Sequence, residues 1–510
     1  MKFSKWMKRL FRQRMLVILL VLLQFAMVFW SIFSNTRRWD MVSVFLTTIS
    51  FFVALYVLNS KDKGGYKISL VFLILLLPLF GGLFYLFFKI SFFSYNIPRK
   101  MREVEQRTQD LSVRSDEICV EACEKFPEYA PQIRYLNDYA GFPVRGDSET
   151  EYFPLGDVAL PAMIREIRKA KRYVFLEYFI IREGKMWDTI AEALEERAAA
   201  GVDVRVIYDD VGCFAGLDGK KFSEAGYRGI RFVPFNRFLP FVSTIQNNRD
   251  HRKLLIIDGE VAFTGGINIA DEYINVTCRH GHWKDSALMV KGSAAWSFTV
   301  MFLQMWSFCA KCKEETRNYH PEQMPSTEAN GYVIPYTDSP MDHENVGEHV
   351  YMQVINSARR YLYIATPYLI VDDSMLSALT LAAKSGVDVR IITPYRYDRF
   401  IIHFTTRSYY RKLIDAGVRI YEYSPGFIHS KLLVADDKVA TVGTSNMDYR
   451  SLYLNFECGA VMYGADAVLQ VKQDIEKTFP VCREITAADC KRSWIVRIIQ
   501  SVMRLFAPLM

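Results

Sequence analysis

The sequence predicts an α/β protein built from two similar lobes, preceded by N-terminal transmembrane helices. Three observations point there. The phrase Gly-Val-Asp-Val-Arg occurs at 201–205 and again at 386–390, each time after a helical pattern. The pattern His-x-Lys-x4-Asp occurs at His251, Lys253 and Asp258, and again at His429, Lys431 and Asp436. Apolar residues crowd into the region 1–95.

That region carries three apolar stretches, Met15–Phe33, Met41–Leu58 and Ile68–Phe88. Each approaches the roughly 20 residues a helix needs to cross a bilayer. Lys2, Lys5, Lys8, Arg9, Arg12 and Arg14 precede the first, which sets the N-terminus on the cytoplasmic side. The first run is too long for a signal peptide's apolar core and is followed by more spans. Three spans would put the remaining chain outside, whereas Arg99, Lys100 and Arg102 argue for the inside. The expected reading is a multi-pass membrane protein, anchored by two or three helices.

The segment 96–134 reads as a linker. Beyond it, Arg172–Phe179 is rich in strand formers, Trp187–Ala200 has helical spacing, and Gly201–Tyr208 returns as a strand. The same order recurs over Arg360–Ala365, Ser374–Lys384 and Gly386–Ile392. A repeat period of about 180 residues means duplication of a whole domain, not a solenoid. The expected lobes are 135–320 and 330–490, with parallel strands wrapped by helices. The polar stretch Arg317–Asn330 joins them. The tail 491–510 interleaves basic and apolar residues and suits an amphipathic interfacial helix, Trp494 and Phe506 towards acyl chains.

In each motif the lysine opens a strand-like run that ends in a turn, at Asp258-Gly259 and at Asp436-Asp437-Lys438. Side chains two apart on a strand share a face, so His251 and Lys253 project together, as do His429 and Lys431. The two aspartates have opposite parity; they belong to the set of six motif residues but are expected to hold the turns. Each copy runs on to a Gly/Asn turn, Gly265–Asn268 and Gly443–Asn446. Two lysines with the amides of Asn268 and Asn446 form a cationic, donor-rich pocket suited to phosphate. Two imidazoles supply a nucleophile and a general acid for phosphodiester chemistry. A carboxylate on the far nitrogen would fix each tautomer; Glu457 is the expected partner of His429, and Asp285 that of His251.

Composition narrows the rest. The chain of 510 residues has 51% hydrophobic residues and a net charge of +7, with mean hydropathy +0.04 and pI near 8.7. Such charge suits a polyanion, whether nucleic acid or anionic lipid. Nine cysteines without framework spacing exclude a disulfide scaffold. Cys309-x-x-Cys312 has no second pair, and His280-x-His282 has no third ligand at suitable spacing, so no metal and no cofactor are expected. Among the lone histidines, His403, between Arg399 and Arg407, is the one placed to face lipid headgroups.

At the duplicated motif the chain resembles the phospholipase D superfamily, over about 135–490. Within it, Asp250–Lys253, Gly265–Tyr273, His429–Lys431, Gly443–Ser451 and Asn455–Glu457 are similar to the bacterial cardiolipin synthase family. The resemblance implies two phospholipase D-like lobes. It also implies reversible phosphatidyl transfer between two phosphatidylglycerol molecules, giving cardiolipin and glycerol. His251 would then be the nucleophile, forming a phosphatidyl-histidine, and His429 the acid and then base; the near-symmetry of the motifs leaves the reverse assignment open. Other readings are a different phosphatidyltransferase or a phospholipase, a membrane-tethered nuclease, or a non-catalytic scaffold. Apolar flanks argue for lipid over nucleic acid, and both motifs are intact, which argues against a scaffold. Oligomeric state is not legible.

Overall fold

The computed structural model describes residues 37–60, 63–77, 81–82, 85, 96–108, 115–214, 227–237, 247–324, 327–342 and 344–509. They divide into two compact units. One comprises the N-terminal region, Phe238–Asn247 and Val502–Met510; the other comprises Pro98–Arg237 and Asn248–Ser501.

In the smaller unit, helices Arg37–Leu58 and Gly64–Leu76 pack through Val53, Ala54, Val57 and Ile74. Their other faces leave Phe45, Phe51, Phe52, Leu55, Phe72 and Leu75 exposed. Among the described residues no helix is long and apolar enough to cross a membrane. The described residues therefore give no support to the expectation of N-terminal transmembrane helices. The helix over the second stretch starts with Arg37, Arg38 and Asp40 and carries Thr47, Thr48 and Ser50, which dilute its apolar content. The helix over the third has 13 residues, about 20 Å at 1.5 Å per residue, short of a hydrocarbon core of about 30 Å. The first stretch, Met15–Phe33, and the basic residues ahead of it lie outside the described residues.

The larger unit holds both lobes. The first contains β1 (Ser148–Phe153), β2 (Tyr173–Tyr178), β3 (Asp203–Asp209), β4 (Ile230–Phe235), β5 (Lys253–Ile257), β6 (Val261–Gly265), β7 (His282–Lys284) and β8 (Ala287–Gly292). Seven of these form a sheet in the order β1-β8-β6-β5-β2-β3-β4. The second lobe contains β9 (Tyr332–Asp338), β10 (Tyr361–Ala365), β11 (Leu369–Ile370), β12 (Asp388–Pro394), β13 (Arg419–Tyr423) and β14 (Gly426–Ile428). It continues with β15 (Leu432–Ala435), β16 (Val439–Gly443), β17 (Met447–Asp448), β18 (Glu457–Tyr463) and β19 (Cys482–Ile485). Its sheet runs β9-β18-β16-β15-β10-β12-β13-β19, the same order with one strand added at the edge.

Neither sheet is wholly parallel, contrary to expectation. Within the two sheets only β2-β3-β4 and β10-β12-β13 are parallel; helices Lys185–Ala199, Asp373–Lys384 and Phe400–Asp415 make the returns from β2 to β3, β10 to β12 and β12 to β13. The remaining pairs are antiparallel. β2 and β5 are buried at every position, as strands covered on both faces must be. The segment expected as a linker, 96–134, instead forms helices Asn96–Thr108, Asp116–Lys125 and Ala130–Arg134. Their attachment is specific: the Gln132 amide donates to Val350 O at 3.0 Å and accepts from Tyr463 Oη at 2.9 Å.

Asp258 and Asp436 adopt positive φ, 53° and 57°, at the turns closing their hairpins. The Asp258 carboxylate accepts from the backbone N–H groups of Lys171, Arg172 and Tyr173, each at 2.8 Å. Asp436 does the same for Arg359, Arg360 and Tyr361 at 2.7, 2.8 and 3.0 Å. Each thereby fixes the start of the neighbouring strand, β2 or β10. Asp258→Ala leaves three backbone donors without that acceptor and should cost about 2–4 kcal/mol. Thermal unfolding would show this as a midpoint lowered by several degrees. An unchanged midpoint with abolished turnover would give Asp258 a chemical role instead.

Candidate active site

Two short backbone bridges between the lobes build the site. His251 N donates to Phe456 O at 2.9 Å, and Phe456 N donates to Arg249 O at 2.8 Å. On the other side β14 pairs in parallel with β7, and His429 N donates to Lys284 O at 2.7 Å. Each bridge sets a motif histidine beside the residue that precedes a carboxylate in the opposite lobe. The partners are therefore exchanged relative to the sequence expectation. Nδ1 of His251 donates to Glu457, 2.9 Å from both Oε1 and Oε2. Nδ1 of His429 donates to Asp285 Oδ2 at 2.6 Å. The expectation paired residues of the same lobe, since chain proximity was the only guide; the inter-lobe bridges are what reverse it.

With Nδ1 carrying the donated proton, the neutral ring presents Nε2 unprotonated, as a nucleophile or base requires. Both carboxylates are fully buried. Glu457 is held further by the Thr444 hydroxyl at 2.5 Å and the Asn455 amide at 3.3 Å. Gly266 occupies the position equivalent to Thr444 and lies flush against Asp285. A Cβ there would stand 2.0 Å from Oδ1, so no larger residue fits without moving the carboxylate.

The lysines fold back on their own histidines. Lys253 Nζ donates to His251 O at 2.5 Å, and Lys431 Nζ donates to His429 O. Burial pushes Lys253 down to about 7 and Lys431 down to about 8. Burial also pushes Glu457 up to about 7. The His251 imidazole is held well below its ordinary value by burial and by the charges of Lys253 and Lys431. Burial and Lys431 lower His429 as well, against the opposing charge and hydrogen bond of Asp285.

The two asparagines are partly committed. Asn268 Oδ1 accepts from Ile180 N at 3.1 Å and Nδ2 donates to Tyr273 Oη at 2.7 Å. Asn446 Nδ2 lies 3.4 Å from Asp448 Oδ2. Each amide keeps a second N–H beyond these bonds. Asp258 and Asp436 stand away from the histidines, seven residues along their strands and roughly 20 Å at the rise of an extended chain. Among the described residues no group of three or more His, Cys, Asp or Glu is arranged to hold a metal. The His282 ring is bound to Tyr423 Oη at 2.9 Å.

Sequence reasoning missed two features. Aromatic rings wall the histidines: Phe179 at 5.0 Å from His251, and Trp283, Tyr273 and Phe427 at 5.5–5.9 Å from His429. Behind the first motif, Glu177, Asp250 and Arg252 form a buried triad, with Arg252 Nη1 3.6 Å from Glu177 Oε1. Burial and Asp250 push Glu177 well above the usual carboxylate range. The alternation of charges in Asp250-His251-Arg252-Lys253 was the available signal, because it loads both faces of one strand. The second lobe has Ala365, Ile428 and Ser430 at the equivalent places.

Comparison with known proteins extends these observations. The family model described as "Cardiolipin synthase, PLD-like domain" matches residues 163–306 and 351–479. A Streptococcus mutans protein of uncharacterised function is 42% identical over 461 residues, covering 89% of this chain and 99% of that one. A cardiolipin synthase of Geobacillus kaustophilus is 33% identical over 498 residues, covering 97% and 98%. A cardiolipin synthase 2 of Bacillus cereus is 34% identical over 469 residues, covering 91% and 90%. Among solved structures, a phosphatidylserine synthase of Haemophilus influenzae shares the fold, with TM-score 0.56 at 15% identity, covering 74% and 97%.

The exchanged pairing is open to direct measurement. Glu457→Gln should move the Nδ1 resonance of His251 in nitrogen-15 spectra and leave that of His429, and Asp285→Asn should do the reverse; the opposite pattern would restore same-lobe pairing. Gly266→Ala, by displacing Asp285, should lower kcat by about 10²-fold or more. Its unfolding midpoint should change far less than that loss would suggest.

Proposed function

The chain belongs to the cardiolipin synthase family of the phospholipase D superfamily, and from that premise we propose how its site works. The enzyme is a phosphatidyltransferase that joins two phosphatidylglycerol molecules into cardiolipin and releases glycerol. The observation that carries the reading is the pair of imidazoles, each given a fixed tautomer by a carboxylate of the other lobe.

In the first half-reaction Nε2 of neutral His251 attacks phosphorus, and the bond from phosphorus to the glycerol oxygen breaks. His429, protonated on both nitrogens, gives its Nε2 proton to the departing glycerol oxygen. In the second, neutral His429 takes the proton from a glycerol hydroxyl of another phosphatidylglycerol. That oxygen attacks phosphorus, the bond to His251 breaks, and cardiolipin leaves. Lys253, Lys431 and the spare N–H groups of Asn268 and Asn446 hold the phosphoryl oxygens as charge builds.

One asymmetry supports giving His251 the nucleophilic role. Its imidazole is held well below its ordinary value by burial and two lysines, whereas Asp285 pulls His429 back towards protonation. A bound phosphodiester brings a negative charge, which an imidazolium at His429 offsets. A buried site with that charge uncompensated would carry a large desolvation penalty.

A lipid alcohol reaches the second step only where lipids are abundant. The apolar segments of 1–95 and the amphipathic helix Trp494–Phe506, with Trp494, Ile495, Ile498 and Ile499 exposed along it, would hold the enzyme at a membrane. A nuclease would have no use for either.

The test is incubation of the full chain with phosphatidylglycerol in mixed micelles, resolving products by mass. Cardiolipin and glycerol are expected; phosphatidic acid alone would replace the synthase reading with a phospholipase. The pH profile probes the lysines. Their lowered values mean that charge is lost as pH rises through about 7–8, so kcat/KM should fall there. Lys253 loses its charge first, so Lys253→Arg should move that alkaline limb upward, towards the value of Lys431. An unmoved limb would take Lys253 out of the profile.

A further inference from the structure

The segment Tyr395–Ile401, running from β12 into the first turn of the helix Phe400–Asp415, presents an apolar surface that no described residue of the lobes covers. Tyr395 is 43% exposed, Tyr397 49%, Phe400 61% and Ile401 54%. Arg396 and Arg399 are exposed among them. The one carboxylate of the segment, Asp398, is turned inward: it accepts from Tyr368 Oη at 2.5 Å and from Arg399 N at 2.7 Å. The outward face is thus aromatic, aliphatic and cationic, without an acid.

Its position is the second observation. Arg396 N donates to Gly426 O at 3.3 Å, on the strand that runs directly into His429. Tyr368, which holds Asp398, immediately precedes β11, and β11 pairs with β17 directly after Asn446. The surface is therefore fastened on both sides to the segments that deliver His429 and Asn446. The sequence expectation had assigned headgroup contact to His403 instead. That ring is half-buried beside Tyr397, and burial pushes it down to about 4, so it carries no charge at neutral pH. Arg407 is committed to Glu422 through bonds of 2.7 and 2.6 Å.

We propose that the Tyr395–Ile401 surface docks the mouth of the active site on an anionic lipid surface. Phe400, Ile401, Tyr395 and Tyr397 enter the headgroup–acyl boundary, where aromatic rings are favoured. Arg396 and Arg399 lie against phosphates. Docking there lets a phosphatidylglycerol headgroup slide into the cleft while its acyl chains stay in the bilayer. The inference rests on the phosphatidyltransferase reading for its substrate, and its test has one arm that does not use turnover.

In that arm, benzoyl-phenylalanine replaces Phe400 in the full chain, which is illuminated with vesicles of phosphatidylglycerol and phosphatidylethanolamine. Lipid adducts at position 400 are expected; adducts only to a second copy of the chain, or none, overturn the proposal. In the other arm, Phe400→Ser/Ile401→Ser is assayed on long-chain phosphatidylglycerol vesicles and on dissolved dihexanoyl phosphatidylglycerol. At least a tenfold loss is expected on vesicles, with turnover of the dissolved substrate within twofold of the unaltered enzyme. Arg396→Ala/Arg399→Ala should lose rate on vesicles at low salt and converge with the unaltered enzyme as salt rises. Equal losses on both substrates, or none on vesicles, overturn docking. If the unaltered enzyme makes no cardiolipin from either substrate, the functional reading fails while the adduct result stands by itself.

Discussion

The structure depends on an exchange. Each motif histidine takes its carboxylate from the other lobe, and each is set there by a backbone hydrogen bond across the interface. A lobe alone would carry an imidazole with no tautomer control and a buried acid with no base. The duplication is thus more than a doubling of parts. Inter-lobe pairing brings two imidazoles, two ammonium groups and two acids into one volume, where burial lowers both imidazoles and both ammonium groups and raises Glu457. The same low-dielectric surroundings strengthen whatever charge the substrate brings.

The pseudo-symmetry is strict in the backbone and relaxed in the side chains. Strand order, turn aspartates and bridge geometry repeat. Yet Glu457 has a threonine hydroxyl where Asp285 has only the space left by Gly266. The charged triad of Glu177, Asp250 and Arg252 also has no counterpart in the second lobe. The two imidazoles differ as well: the charge and hydrogen bond of Asp285 oppose the lowering of His429, whereas burial and both lysines hold His251 well below its ordinary value.

Much of this was legible in the chain. Duplication, lobe order and the catalytic pairs followed from the repeated motif, and strand parity alone separated the aspartates from the His/Lys pairs. What stayed hidden depends on contacts between residues far apart in sequence. Glu457 and His251 are joined by a bridge at Phe456, and no local pattern announces which strand ends will meet. The helices within 96–134 were read as a linker because their apolar positions are few and scattered. Tyr129, Ile133 and Leu136 are nonetheless wholly buried. The hairpin at each motif was legible from its turn residues, and it is present in both lobes; the outer antiparallel strands β1, β8, β9, β18 and β19 were not, because two βαβ patterns stand out and these strands pair with partners distant in sequence.

The bridges also restrict motion. Many two-lobed enzymes admit substrate by swinging their halves apart about a hinge. Here any such swing would break the bonds from His251 to Phe456 and from His429 to Lys284, and strip both histidines of their acids. The two lobes are therefore locked as one frame around the paired imidazoles. Movement that brings a phosphodiester to them falls to the lipid and not to a hinge between the lobes.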